Sequence, residues 1–225
     1  VLGCYYLTLE RPGAKGEGRA FSSYHEVALA HSLGKVDLQA KIKFPVKPTP
    51  RSRKERMLDT TVGRVLFNEA LPEALRFKNQ VMDKGALKKL IAEAYQLLGA
   101  AGTAELSDSV KALGFYYATR SGITVAIDDL TVPADKREII EDTTHKVGEI
   151  ERLYRRGLVT ENELYRKTVD LWQQATDEVT DAVARELDPT GNVAIMAYSG
   201  ATKMGLQPIR QLSGMRGLMA DPSGR

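Results

Sequence analysis

Two arginines near the end of the chain, Arg210 and Arg216, are well suited to bind a ligand. They lie in the stretch PIRQLSGMRGLMADPSGR, residues 208–225, which is almost free of acidic residues. A guanidinium group presents forked donors that fit phosphate or carboxylate, and Gly214 and Gly217 allow the backbone to turn and approach another group closely. The residues alone leave two roles open: contact with a phosphate, or anchoring of the loop on carboxylates of the same protein.

A second charged cluster surrounds residues 157–159. Its members are Arg152, Arg155, Arg156, Arg166 and Lys167, with Glu161, Glu163 and Asp170 beside them. Many exposed helical turns carry such a solvated charged surface. The sharper interpretation is a docking platform, because a rigid protruding element of mixed charge supports electrostatic recognition of a partner.

A basic segment, KPTPRSRKER, occupies residues 47–56. Its prolines and charges favour a loop or linker. Such a loop either contacts phosphates of a nucleic acid or simply crosses the surface in water. Because no aromatic residue interrupts the basic run, the sequence favours the solvated loop.

No set of residues in the chain forms a recognisable active site. Asp128 and Asp129 are adjacent, and adjacent side chains on a strand point to opposite faces, so turn or capping roles are favoured for them. The three histidines are scattered, and the single cysteine, Cys4, excludes a disulfide framework and a cysteine-based zinc site. We therefore predict no catalytic residue and no metal site in this segment.

The pattern of apolar residues predicts the elements that position these groups. Alternation over 36–46 predicts a half-buried strand, and 59–72 predicts a strand or turn that leads into a helix. Two further helices are predicted at 84–99, capped by Asp83, and at about 106–119. The segment 121–133, with turn signals at both ends, predicts another strand.

From Pro133 onward the chain predicts long charged helices. Residues 134–156 and 160–187 both place a series of side chains at alternating spacings of three and four, which is typical of a coiled-coil seam. The first series ends at Tyr154 and the second begins at Tyr165. Thr160 and Glu163 fit a capping box at the start of the second helix. Because so few residues connect the helices, we expect an antiparallel hairpin over 134–187 that projects from its base.

These elements indicate an α+β fold, mainly helical, with a small mixed domain of short strands at 1–132 and a second domain at 133–225. The net charge of +3 over 225 residues does not indicate a nucleic-acid binder by itself. Because there is no apolar run of membrane-spanning length, we expect a soluble protein of a reducing compartment. The apolar start without Met suggests a piece of a longer polypeptide.

Several blocks of the sequence resemble the largest catalytic subunit, beta-prime, of bacterial DNA-directed RNA polymerase, and they occur in the order of that family. The blocks are LGCYYLT and AKGEG near the start, DTTVGR (59–64), GFYYATRSGITVAIDDL (114–130), GLVTENELYRKTVDLWQQATDEV (157–179), SGA (199–201) and IRQLSGMRGLMADPSG (209–224). The similarity covers nearly the full chain.

The resemblance implies a place for each domain. Residues 1–132 are similar to the pore domain, which lines the secondary channel where nucleoside triphosphates enter. Residues 133–225 are similar to the funnel domain, in which the hairpin 134–187 corresponds to the rim helices. The segment 199–225 resembles the loop that leads to the bridge helix.

The resemblance also implies function. Lys203, Arg210, Gln211 and Arg216 would belong to the active-site loop and the triphosphate path, with Arg210 and Arg216 ordering the loop and adding positive potential. Four rim residues are expected to bind regulatory factors: Glu163, Arg166, Lys167 and Asp170.

The expected partners are the beta, alpha, omega and sigma subunits, template DNA, RNA transcript, nucleoside triphosphates and Gre-type cleavage factors, in the bacterial cytoplasm at the nucleoid. The catalytic Mg²⁺ of the family is held by aspartates outside this segment. The segment alone is therefore expected to be inactive in nucleotidyl transfer, which needs those ions.

The sequence departs from the family at one point. Many members read Ser-Gly-Ala-Arg-Gly where this chain reads SGATKMG (199–205). Lys203 would supply a charge there, but an ammonium group cannot reproduce the guanidinium fork.

Two other functions fit the residues without the resemblance. One is a stand-alone nucleic-acid-binding module that uses the basic segment 47–56, and the other is a structural scaffold whose hairpin mediates assembly. Neither accounts for the ordered blocks.

Overall fold

The structure is a computed structural model that describes residues 1–46 and 56–222. The predicted fold class is confirmed: the protein is mainly helical, with one two-stranded antiparallel sheet among the described residues. Apart from Arg56, the basic segment 47–56 lies outside the described residues. The helices are α1 (Leu2–Thr8), α2 (Tyr24–Ser32), α3 (Val62–Glu69), α4 (Lys84–Ser121), α5 (Lys136–Arg155), α6 (Glu161–Glu186), α7 (Asn192–Tyr198) and α8 (Gln207–Ser213), and the strands are β1 (Lys41–Val46) and β2 (Arg56–Thr61).

The chain divides into two compact units. The first comprises residues 1–123 and 198–201, and the second comprises 124–197 and the chain from 202 onward. The predicted functional division at residues 132 and 133 stays a prediction.

In the first unit, β1 and β2 pair with Lys41 opposite Thr61. The predicted strand 36–46 is right only from Lys41. Upstream of it the backbone N–H groups bond to nearby loops instead of a ladder, with Asp37 donating to the Lys15 carbonyl at 2.9 Å and Ala40 donating to the Asp37 carbonyl at 3.2 Å.

Helix α1, which the sequence did not predict, packs against α4 at a close crossing. A Cβ on Gly3 would overlap the carbonyl oxygen of Gly114. Cys4 and Leu7 of α1 are buried in a core shared with α3 and α4. The absence of a side chain at Gly3 therefore lets the two backbones approach and close the core of the first unit.

Helix α4 replaces the two predicted helices at 84–99 and 106–119. Asp83 caps it as predicted, accepting a hydrogen bond from the Ala86 N–H at 2.6 Å. Gly99 interrupts the helix with φ of 69° and ψ of −170°, which is backbone that glycine tolerates. The residues that follow are helical at once, so the predicted gap before 106 is a kink.

The predicted strand over 121–133 is wrong. Helix α4 continues to Ser121 and ends at Gly122, whose φ of 62° is left-handed. A single 3-10 turn, Ile127–Asp129, follows. The Asp129 carboxylate accepts a hydrogen bond from the Ala126 N–H at 2.8 Å, which confirms a capping role for this aspartate.

The second unit contains the predicted antiparallel hairpin of α5 and α6. Gly157 ends the first helix with φ of 70°. Thr160 and Glu163 form the predicted capping box, in which the Thr160 hydroxyl accepts from the Glu163 N–H and the Glu163 carboxylate accepts from the Thr160 N–H at 2.9 Å. The local sequence therefore fixes both the end of α5 and the start of α6.

The seam of the hairpin is buried at its base and exposed at its tip. Val179 and Ala182 are buried close to the core of the unit, whereas Tyr154 and Tyr165, on the same predicted seam, are 42% and 51% exposed. The base is covered by further elements: Val193 and Ala194 of α7 and Ile209 of α8 join Val179 in one apolar cluster.

Candidate functional site

The segment after residue 206 begins with a short helix that the sequence did not resolve. Pro208 lies in the first turn of α8, where proline costs no hydrogen bond. Ile209 of α8 is buried against Val179 and Val183 of α6, and this contact seats the helix. The rest of the segment runs on as a loop.

Gly214 lets the chain leave α8 close to α6. A Cβ at this position would lie 2.7 Å from Cγ1 of Val179 and 2.8 Å from the carbonyl oxygen of Arg210. Both distances are too short for a real Cβ contact. The glycine is therefore required for the path of the loop against α6.

The loop then closes back on α8. Gly217 has φ of 85°, and Nη2 of Arg210 donates a hydrogen bond to the carbonyl oxygen of Arg216 at 3.3 Å. The closure relies on a guanidinium-to-backbone bond. Neither Arg210 nor Arg216 forms an ion pair with a carboxylate of the described residues, in contrast to Arg185, which pairs with Asp135 at 3.3 Å.

A cleft with a volume of about 320 Å³ lies between α6 and this loop. It brings together three of the predicted residues, Arg210, Gln211 and Arg216. The remaining lining residues are Gln173 and Thr176 of α6, Gln207 of α8 and loop residues 217–219. None of the lining residues is acidic. Sequence reasoning missed Gln173 and Thr176, although their spacing of three residues on a helix predicts a shared face.

The hydrogen-bond donors of the residues that line the cleft have few acceptors among the described residues. Nε of Arg210 is buried and has no partner among the described residues, and a buried unpaired donor is costly. The amide nitrogen of Gln173 is occupied, because it donates to Asp177 at 3.1 Å. The guanidinium groups and the carboxamides of Gln207 and Gln211 together make this surface one that favours an anion.

Lys203 does not line this cleft. It lies exposed in the turn between α7 and α8, where the Thr202 hydroxyl donates to the carbonyl oxygen of Gly205 at 3.0 Å. Its predicted place on a triphosphate path stays a prediction.

The four predicted rim residues, Glu163, Arg166, Lys167 and Asp170, are all exposed on the first part of α6. Hydrogen bonds from the N–H and the hydroxyl of Thr160 hold the pKa of Glu163 below its ordinary value. Glu163 therefore helps to stabilise the N-terminus of α6 as part of the capping box. The structure leaves the other three side chains available on the surface.

Apolar side chains accompany the charges at the tip of the hairpin. Leu153 and Tyr154 of α5, Leu158 of the turn and Tyr165 of α6 are all exposed. Sequence reasoning assigned Tyr154 and Tyr165 to the seam and so missed their accessibility. A mixed surface of aromatic, aliphatic and charged groups is typical of protein interfaces.

The first unit contains a polar network that sequence reasoning also missed. Asn68 is buried, and its amide donates to the carbonyl oxygens of Arg64 and Lys78 at 2.8 Å each, while its oxygen accepts from the Lys78 N–H at 2.7 Å. The side chain of Arg64 donates to the Thr8 carbonyl at 3.0 Å and to Asn79 at 3.3 Å. Burial lowers the pKa of Arg64. This network ties α3 to the segment that precedes α4.

Within 1–46 and 56–222, no three His, Cys, Asp or Glu side chains gather into a group that could hold a metal ion. In the same ranges no helix has the length and apolar character needed to cross a membrane.

Comparison with known proteins gives consistent matches along the chain. The family model of RNA polymerase Rpb1, domain 3, matches residues 1–130. The DNA-directed RNA polymerase subunit beta' of Desulforamulus reducens is 50% identical over 225 residues, which is 100% of this chain and 18% of the relative.

Two further relatives extend the pattern. The subunit beta' of Pelotomaculum thermopropionicum is 48% identical over 225 residues, and that of Moorella thermoacetica is 47% identical over 227 residues. Each match covers 100% of this chain and 19% of the relative. The chain thus spans roughly a fifth of the length of the curated relatives that it matches.

Proposed function

Because the chain belongs to the RNA polymerase Rpb1 domain 3 family, we propose that it acts as part of the largest catalytic subunit of a bacterial DNA-directed RNA polymerase. The observation that carries this proposal is the match of the whole chain to subunits beta', among them relatives at 50%, 48% and 47% identity. In this role it contributes to RNA synthesis from nucleoside triphosphates on a DNA template, together with the other polymerase subunits.

Within that enzyme, the chain lines the secondary channel. The first unit forms part of the wall of this channel. The second unit carries the loop with Arg210, Gln211 and Arg216 toward the active site. The gathering of these three residues around one cleft without acidic lining supports a surface of positive potential, which attracts anionic substrates. Lys203 adds a further charge on the path of the triphosphate.

The chemical step belongs to residues outside this chain. Aspartates elsewhere in the polypeptide would hold the Mg²⁺ ions of the full enzyme, and those ions would supply activation of the RNA 3′-hydroxyl and stabilisation of the leaving pyrophosphate. The chain alone is inactive in nucleotidyl transfer.

The tip of the hairpin is a docking surface for regulatory factors that reach into the channel. Exposed charges at Arg166, Lys167 and Asp170 lie near exposed apolar groups at Tyr165 and Leu158. Charges at such a surface contribute to specificity and to the rate of association.

Arg216→Ala in the assembled polymerase tests the channel proposal. We expect slower nucleotide addition at subsaturating triphosphate, because a positive group beside the channel is lost. Rapid-quench measurement of single additions reports the rate, and Arg152→Ala on the exposed part of α5 is the matched control. Equal rates for the wild type and the Arg216 variant would refute the role of the loop.

A further inference from the structure

An apolar groove of about 400 Å³ lies between α1 and the kinked helix α4, within the first unit. Its walls include Leu87 and Ile91 before the kink at Gly99 and Val110 and Phe115 after it. Leu87 and Phe115 are 28 positions apart, which corresponds to about 42 Å along a straight helix. The bend at Gly99 therefore brings both arms of α4 to one groove.

The floor of the groove is closed and rigid. It is formed by Gly3, Cys4 and Gly114, and a Cβ added to Gly114 would lie 3.3 Å from Sγ of Cys4. The Cys4 side chain is only 1% exposed, and its Sγ donates a hydrogen bond to the carbonyl oxygen of Val110 at 3.8 Å. The floor cannot move aside unless α1 separates from α4. A groove that is formed before its occupant arrives costs little entropy to fill.

The lining of the groove offers an occupant almost no charge. Among the described lining residues, Lys111 has the one charged side chain, and its Nζ pairs with the Asp108 carboxylate at 2.6 Å. Phe115 is 69% exposed although it is aromatic. Permanent interfaces are more apolar than transient ones, which rely more on polar and charged groups. The chemistry of the groove therefore selects an uncharged, apolar occupant that stays in place.

The source of such an occupant follows from the length of the relatives. The chain covers 18% of the subunit beta' of Desulforamulus reducens, so more than four fifths of that polypeptide lies outside the match. Two segments of one polypeptide meet at a high effective concentration. A separate protein has no free charge at this groove to guide its approach. A segment of the same polypeptide is therefore favoured over a separate protein.

We infer that the groove holds an apolar segment of the same subunit from outside residues 1–225. The segment inserts more than one large aliphatic or aromatic side chain between Leu87, Ile91 and Phe115, because the space exceeds the volume of a single side chain. This inference rests on the proposed function, which supplies the longer polypeptide. It makes the junction of α1 and α4 a seat for another part of the subunit, apart from the channel and the tip of the hairpin.

Photo-crosslinking in the assembled polymerase tests the occupant. The full-length subunit carries p-benzoyl-L-phenylalanine in place of Phe115, and peptide mass spectrometry identifies what irradiation joins to it. We expect one dominant product, in which position 115 is joined to an apolar peptide of the same polypeptide outside residues 1–225. The same label in place of Tyr154, which is 42% exposed near the tip of the hairpin, is the matched control and should give no crosslink to that peptide.

Variants test whether the contact holds the segment in place. Phe115→Glu puts a charge into the groove, and because Phe115 is exposed in the chain itself, the change spares the fold of the first unit. We expect a protease added to the assembled polymerase to cleave the crosslinked segment at least about tenfold faster in this variant, because the segment is expelled from a groove that has become charged. Phe115→Leu keeps the apolar contact and should change the cleavage rate by less than about twofold.

Tyr95→Glu is the matched control for Phe115→Glu. It makes the same change at an aromatic residue of α4 that is 62% exposed and does not line the groove. The cleavage rate of the segment should change by less than about twofold.

Four results would overturn the inference. They are a crosslink from position 115 to a different polymerase subunit, a crosslink between two copies of the subunit, no crosslink at position 115, and equally faster cleavage in Tyr95→Glu and Phe115→Glu. The first of these would assign the groove to an interface between subunits, and the second to a dimer of the subunit.

The failure of this inference differs from that of the proposed function. If position 115 forms no crosslink while the labelled polymerase still synthesises RNA, the groove is refuted as a seat and the proposed function stands. If a polymerase assembled with the wild-type full-length subunit synthesises no RNA, the proposed function fails whatever position 115 contacts.

Discussion

Nη2 of Arg210 donates a hydrogen bond to the backbone carbonyl of Arg216 at 3.3 Å, so the helix α8 and the loop that follows it are closed on each other. The bond fixes the direction of one guanidinium group while the other remains on the surface. Because the acceptor is a backbone carbonyl, the link does not neutralise either arginine. The two positive charges therefore stay available beside one cleft.

Alanine substitutions at Gly214, which lies close to Val179, and at Gly148 should change the stability of the chain in opposite directions. Gly214→Ala should destabilise the chain by about 1–3 kcal/mol, because its Cβ would overlap packed atoms of α6 and α8. Gly148→Ala, in the interior of α5, should stabilise it by about 1 kcal/mol, because a Cβ there meets nothing within 4 Å and alanine favours helix. Urea unfolding followed by circular dichroism measures both. A destabilising Gly148→Ala or a neutral Gly214→Ala would contradict this account.

The buried amide of Asn68 predicts a large effect of a small change. Asn68→Ala should cost about 1–3 kcal/mol, because the N–H and carbonyl of Lys78 lose their partner in a buried place. Asn68→Asp should cost more at neutral pH, since a carboxylate would face the carbonyl oxygens of Arg64 and Lys78.

Thermal unfolding at several pH values separates the two Asn68 variants. The penalty of Asn68→Asp should shrink on acidification as the carboxyl group gains a proton, and that of Asn68→Ala should not. Asn162→Asp, on the exposed first turn of α6, is the control and should be nearly neutral. An equal and pH-independent loss in both Asn68 variants would show that the hydrogen bonds are not the cause.

The capping box at the start of α6 predicts a stability that depends on pH. The pKa of Glu163 is lower in the folded chain than in the unfolded chain because Thr160 donates to it. Its contribution is therefore present above the ordinary glutamate pKa of about 4.3 and is lost as the pH falls through the lowered folded value.

Thr160→Ala removes the hydroxyl, which accepts from the Glu163 N–H and donates to the Glu163 carboxylate, but keeps the backbone N–H that also donates to this carboxylate. The loss of an N-cap side chain costs about 1 kcal/mol at neutral pH. The stability difference between the wild type and this variant should narrow on acidification below the ordinary glutamate pKa. Unfolding curves at pH values above and below this window measure the difference. Glu161→Gln, in the same turn but outside the capping box, is the control. A constant difference across the window would exclude the carboxylate as the pH-sensitive group.

The exposed charges of α6 predict a selective effect on docking. Arg166→Glu, Lys167→Glu and Asp170→Lys together should weaken the binding of a cleavage factor to the assembled polymerase, because the charge pattern is reversed. Nucleotide addition without the factor should stay unchanged. Competition binding measures the first property and elongation assays the second. Normal response to the factor in the triple variant would contradict the docking surface.

The sequence predicted best what depends on neighbouring residues. The capping box at Thr160 and Glu163 and the cap at Asp83 both follow from side chains that bond to backbone groups three positions away. The strand predicted at 121–133 was wrong, because β-branched residues favour a strand only where another strand supplies the ladder. Helix α1 was missed because its stability comes from packing of Gly3 and Cys4 on α4, which no local pattern contains.

The candidate site was predictable in part for the same reason. Arg210, Gln211 and Arg216 were found because they lie close together in the chain. Gln173 and Thr176 come from a helix more than 30 positions upstream, and the packing of Ile209 and Gly214 against Val179 brings the two segments together.

The gradient of burial along the hairpin has a mechanical consequence. Val179 at the base is fully buried, while Tyr154 and Tyr165 near the tip remain exposed, so the last turns of α5 and α6 can separate without opening the core of the unit. Amide protons near the tip should therefore exchange with solvent much faster than those near Val179. A partner that binds the tip would hold together two helix ends that otherwise separate transiently. Its binding would be detected as slower exchange of the amide protons near the tip.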